Sequence, residues 1–80
     1  MTKGFREEKV TFDIVDFVGL IGEVDSAGYQ KECNIVSWYG RPARIDIRGW
    51  NADHTQCRKG ISLTDEEAED LYKILKARYE

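Results

Sequence analysis

The sequence predicts an α+β domain: a curved four-stranded antiparallel sheet, then one C-terminal helix, assembled as a homodimer. Three observations predict it. Apolar and polar residues alternate with a period of two in several stretches between Val10 and Leu63, the pattern of half-buried strands. Turn formers separate these stretches: Asp25-Ser26-Ala27-Gly28, Gly40-Arg41-Pro42 and the polar run Asn51–Gln56. From Thr64 onward the apolar spacing becomes helical.

The first nine residues are charged and are expected to fray. Val10 to Val24 reads as one long strand. Its alternation slips, because Phe12 and Ile14 share one parity while Val15 and Phe17 share the other. With Gly19 and Gly22, that slip predicts a bulge or strong curvature. Tyr29 to Tyr39 is the second strand; Cys33, Ile35, Ser37 and Tyr39 fall on one side, Glu32, Asn34, Val36 and Trp38 on the other. Arg44 to Trp50 is the third, with Ile45 and Ile47 on one face and Arg44, Asp46, Arg48 and Trp50 on the opposite face. Arg58 to Leu63 is the fourth. Thr64-Asp65-Glu66-Glu67 spells a capping box, with Thr64 as N-cap. Lys73, Lys76 and Arg78 lie toward the negative end of that helix, and Ala68, Leu71 and Leu75 form its apolar stripe.

Eighty residues make one domain with a small core. One helix covers only part of one sheet face, so a second copy of the chain is the expected source of further burial. No apolar run reaches membrane-spanning length, and the N-terminus lacks the apolar stretch of a signal peptide. The expected setting is intracellular, with Cys33 and Cys57 reduced.

The net charge of −3 is unevenly spread. Residues 29–63 carry six basic side chains against three acidic ones, while each flanking segment carries three against six. Local potential steers a charged ligand, so the basic middle outweighs the total. Metal binding is disfavoured: Cys33, Cys57 and His54 are the only Cys and His present, and a structural zinc site wants four ligands. No nucleophile–base pair or glycine-rich phosphate loop is evident, and the helix carboxylates follow capping logic. The sequence therefore predicts neither an enzyme nor a cofactor.

What remains is the third-strand face, with Trp38 at the end of the strand before it. Arginines interleaved with tryptophans suit a surface that grips phosphates and stacks on unpaired bases. Two other readings fit the same residues. The tryptophans can be core, with the arginines paired to Asp46 and Glu32, and the aromatic face can hold a protein partner. Single-stranded RNA also stacks on aromatics.

Ile45-Asp46-Ile47-Arg48, the following tryptophan and loop, and Arg58-Lys59-Gly60-Ile61-Ser62-Leu63 resemble the DNA-binding domain of the transcriptional positive cofactor four family. The acidic start Thr64-Asp65-Glu66-Glu67 extends the resemblance, which is strongest over residues 36–75. It implies four curved strands and a helix over residues 10–80, a homodimer, single-stranded DNA as ligand, and partners in the transcription machinery. The short chain is similar to compact bacterial members, which implies a cytoplasmic, nucleoid-associated protein. Carried over by position, the resemblance makes Trp38 and Trp50 stacking aromatics, Arg48 a basic contact, and Arg58 and Lys59 the basic pair before Gly60. Arg41 and Arg44 stand in the hairpin where the family has lysines, and Lys31 stands near a basic position of the second strand. Val36 and Tyr39 replace basic residues of the eukaryotic members.

Overall fold

The computed structural model describes residues 11–80; the expected frayed lead, residues 1–9, lies outside them. Strands β1 (Phe12–Ile21), β2 (Gln30–Trp38), β3 (Arg44–Trp50) and β4 (Ile61–Leu63) form one antiparallel sheet in that order. Helix α1 (Asp65–Tyr79) follows. The predicted four-stranded antiparallel sheet followed by one C-terminal helix is observed.

The parity slip in the first strand has a structural cause. Register shifts fall between Ile14 and Asp16 and between Phe17 and Gly19, leaving Val15 and Val18 as extra residues. Each bulge adds a residue and sharpens the twist. The two together align Phe12, Ile14, Phe17 and Leu20 with Trp38, Val36, Asn34 and Glu32 of β2. At the β1–β2 connection, the Asp25 carboxylate accepts from the Ala27 and Tyr29 amides. β2 reverses through Tyr39 and Gly40, both at positive φ, and the Arg41 amide donates to the Trp38 carbonyl at 2.9 Å. Two successive left-handed residues match the right-handed strand twist.

The fourth strand is shorter than expected. Before Ile61 the chain runs beside β3 without a regular ladder: Cys57 bridges Trp50, and the Arg58 amide donates to the Gly49 carbonyl at 2.9 Å. Gly60 then passes so close to β3 that a Cβ there would run into the Ile47 carbonyl oxygen and the Arg48 Cβ. Only glycine permits that approach.

The capping box forms as spelled. Thr64 Oγ1 accepts from the Glu67 amide at 3.1 Å, and Glu67 Oε1 accepts from the Thr64 amide at 2.9 Å. Helix α1 packs on β3 and β4 alone among the strands. Ala68 and Leu71 are half-buried and no helix residue is fully buried. The fully buried side chains lie on the opposite face of the sheet: Trp50, Val36, Asn34 and Asp46. Strand parity is thus as read, but Cys33, Ile35, Ile45 and Ile47 are only half-buried. Burial, with the Asp46 charge adding to it, pushes the Cys33 thiol above its ordinary pKa.

Candidate nucleic-acid interface

The site is built around one carboxylate. Asp46 has no exposed surface, and a buried carboxylate must be paired and hydrogen-bonded to persist. Its Oδ2 accepts from Trp38 Nε1 at 3.0 Å, from an Arg48 Nη at 2.8 Å and from Ser62 Oγ at 2.7 Å; its Oδ1 accepts from Arg48 Nε at 2.6 Å. Side chains from β2, β3 and β4 are therefore tied to a single residue. The Arg48 contact is a two-pronged fork, the strong form of an arginine–carboxylate pair. It raises the Arg48 pKa above an already high value, so that side chain stays charged.

Arg48 also lies over the Trp38 ring, with Cζ 4.5 Å from the centroid. The result is a fixed layer of indole and guanidinium. It forms part of the wall of an open groove of about 630 Å³. Six of the eight residues expected from sequence line this groove: Trp38, Arg41, Arg44, Arg48, Arg58 and Lys59. No carboxylate among the described residues lines it. Among the described residues, Arg41, Arg44 and Lys59 have no ion-pair partner, whereas Arg48 pairs with Asp46 and Arg58 with Asp25. Ser62 and the half-buried Cys57 complete the floor.

The other two expected residues, Trp50 and Lys31, do not line this groove. Trp50 lies on the expected face, its ring parallel to Trp38 with centroids 6.3 Å apart. It is only 1% exposed, however. Phe12 and His54 cover it, at centroid distances of 4.9 and 5.3 Å. Trp50 is thus a buttress behind Trp38 and not an open stacking surface. Lys31 is exposed but pairs with Gly49, at odd parity, and lines a second recess that adjoins the groove.

The reading in which arginines pair with Asp46 and Glu32 holds for one pair only. Arg48 takes Asp46, whereas Glu32 takes His54, whose Nε2 sits 2.9 Å from both carboxylate oxygens, and the Asn34 amide at 3.0 Å. His54 adopts φ 59° to reach inward. That contact latches the 51–56 loop to β2, and Cys57, Arg58 and Lys59 follow directly. His54 and Cys57 accordingly do not converge as metal ligands.

Sequence reasoning offered Asp46 as a partner for arginine without seeing that it organises the site, and it missed Ser62 and Phe12. For Asp46 a signal was available. An acid sharing strand parity with arginine two residues away, on a strand expected to be half-buried, is placed to pair with it.

A protein of Treponema pallidum (strain Nichols) carrying only the name uncharacterized protein is 40% identical over 48 residues. That match covers 60% of this chain and 56% of the relative, so the chain aligns with little more than half of that protein's length. The family model of transcriptional coactivator p15 (PC4) matches residues 26–74, a span that takes in β2, β3, β4, the groove-lining side chains and most of α1. With more than half of its length and three of its four strands inside that match, the chain belongs to the transcriptional coactivator p15 (PC4) family.

Proposed function

We propose that this protein binds single-stranded DNA with little sequence preference, as a homodimer, and acts as a transcriptional cofactor. The observation that carries the reading is the groove itself: an indole, four arginines and a lysine on one lining, with no carboxylate among them. An unpaired base stacks on the Trp38–Arg48 layer. Arg41, Arg44 and Lys59, whose charges no acid among the described residues takes up, hold the flanking phosphates. Stacking tolerates any base, because every base has a π-face. Membership of a coactivator family supports the role in transcription.

The homodimer is supported by what the single chain leaves uncovered. Tyr72, Ile74 and Tyr79 of α1 are 61%, 64% and 77% exposed, and Ile61 of β4 is 55% exposed. Apolar surface of this kind marks an interaction site. A monomeric mass in sedimentation at micromolar concentration overturns the dimer.

The binding test is a fluorescence titration with oligo-dT. Trp38→Ala with Arg48→Ala should remove most of the affinity, since stacking alone contributes about 1–3 kcal/mol per base. An affinity unchanged within about twofold sinks the reading. Salt dependence gives a second measure. Three uncommitted cations predict a log–log slope of about −2 per chain, against about −3.5 if all five basic side chains of the groove meet phosphates. A slope near zero points to a protein ligand, and a preference for matched RNA oligomers points to RNA.

A further inference from the structure

The Trp38–Arg48–Asp46 unit has a counterpart. Arg58 lies over the Tyr29 ring, with Cζ 4.2 Å from the centroid, and its guanidinium is paired with Asp25. Aromatic ring, arginine on its face and carboxylate at the arginine's edge recur in the same arrangement. The Tyr29 layer is also fixed from both ends. The Tyr29 hydroxyl donates to Gln56 Oε1 at 3.0 Å, and the Tyr29 amide donates to Asp25 Oδ1 at 3.0 Å. Gly49 lies against both parts: a Cβ there would sit 3.7 Å from Arg58 Cδ and 3.9 Å from Tyr29 Cβ, in ordinary contact with each.

Position links the two units. Tyr29 lines a second open recess of about 720 Å³ that shares Arg48, Arg58 and Lys59 with the Trp38 groove. The stretch from Cys57 to Gly60 is therefore the ridge between two adjoining depressions, and Arg58 belongs to both. The chemistry of the second recess differs from that of the first. Glu23 and Asp25 line it beside the basic residues, and Asp25 neutralises Arg58. A phosphate gains little there, whereas a neutral base face loses nothing to the carboxylates. The Arg58 side chain is 49% exposed, so a face of the guanidinium remains open. Bases stack on arginine planes as they do on aromatic rings.

Resting on the single-strand reading above, we infer that the Tyr29–Arg58 layer is a second stacking platform, which takes an unpaired base of the strand after it leaves the Trp38 groove and crosses the Arg58–Lys59 ridge. Arg58 thus acts at this site as a plane and not as a phosphate clamp. Tyr29 is a positioning residue that holds the plane.

The test compares wild type, Tyr29→Leu and Tyr29→Phe on thymidine oligomers stepped from about 4 to about 16 nucleotides. A 2-aminopurine is placed at successive positions, so that its quenching reports stacking. Tyr29→Leu should bind the shortest oligomers as wild type does. It should lose about fivefold or more on the longest, together with quenching at one distal position. Tyr29→Phe, which keeps the ring, should restore both. Equal binding by Tyr29→Leu at every length overturns the inference, as does an equal loss at every length, because Tyr29 would then be supporting the fold. Trp38→Ala on the shortest oligomers is the separate control. If that change has no effect, the single-strand reading itself has failed, whatever Tyr29 does.

Discussion

Asp46→Asn tests whether the buried carboxylate organises the interface. An amide keeps its oxygen at only one of the two positions. The less costly choice leaves oxygen facing Trp38, the Arg48 Nη and Ser62, and turns the NH2 group against the Arg48 Nε–H. Two donors then oppose each other, one charge-assisted hydrogen bond of about 1.5–3 kcal/mol is lost, and the guanidinium loses its counter-charge. Breaking a buried pair by removing one partner costs about 3–5 kcal/mol, and with three acceptor contacts surviving the low end applies, about 3 kcal/mol. A domain of this length holds about 4–12 kcal/mol in total, so the variant should fold in the cold with Tm lowered by about 12–24 °C. Urea unfolding followed by tryptophan fluorescence measures the loss. Binding gives the sharper sign. Deleting a negative charge beneath a cationic groove should tighten phosphate binding if charge alone governed it. The geometry predicts the opposite, about tenfold weaker oligo-dT binding, because Trp38 and Arg48 lose their common anchor. An unchanged urea midpoint together with a raised affinity would refute the reasoning.

Three further predictions concern the frame around the groove. Gly60→Ala forces the chain off the β3 backbone; it should cost about 1–3 kcal/mol or more in urea unfolding and weaken oligo-dT binding by moving Arg58 and Lys59. Thr64→Ala removes the capping box and should cost about 1 kcal/mol while leaving binding at saturating stability unchanged, a split that parallel unfolding and titration curves would show. The Asp25 carboxyl is held below its ordinary range chiefly by the Tyr29 amide, with Arg58 and the Ala27 amide adding to it, and Asp53 is held down by the Thr55 hydroxyl and amide. Folded values below unfolded ones contribute stability above about pH 4 that is lost as pH falls through the folded values, so acid unfolding of Asp25→Asn with Asp53→Asn should be shallower than that of wild type.

Period-two alternation was enough to put Arg44, Asp46, Arg48 and Trp50 on one face, and Thr64 with Glu67 was enough to place the helix start, because both signals are local. The slip between Ile14 and Val15 was legible as a bulge for the same reason. The place of Lys31 outside the Trp38 groove was legible too, since it shares parity with Cys33 and not with Trp38. The burial of Trp50 was not legible. It depends on Phe12 arriving from β1 through two bulges and on His54 turning inward from a loop at positive φ, and neither contact leaves a mark near position 50. The close pass of Gly60 over Arg48 is a meeting of distant segments, visible in sequence only as a glycine after two basic residues.

A sheet one layer thick has little apolar material with which to fix an interface, and this one uses polar side chains under an aromatic roof. Phe12, Trp38 and Trp50 lie tilted or stacked against one another over the face that carries Glu32, Asn34 and Asp46. Beneath them each carboxylate has a dedicated hydrogen-bonding partner, His54 for Glu32 and Arg48 for Asp46. Desolvating two acids is costly, but the pairing converts that cost into orientation, since a buried carboxylate held by several donors admits few alternative geometries. The same pairing explains how an acidic chain presents a basic groove. Asp46 contributes to the net charge of −3 yet contributes little field at the surface, because its charge is cancelled at hydrogen-bond distance by Arg48. Asp25 does the same for Arg58 from the rim. What reaches solvent along the groove is the remainder: two planar arginine layers, each set on an aromatic ring, and the uncommitted charges of Arg41, Arg44 and Lys59. In the proposed function the planes take bases and the point charges take phosphates, and the sheet separates the two by deciding which arginines have carboxylates behind them.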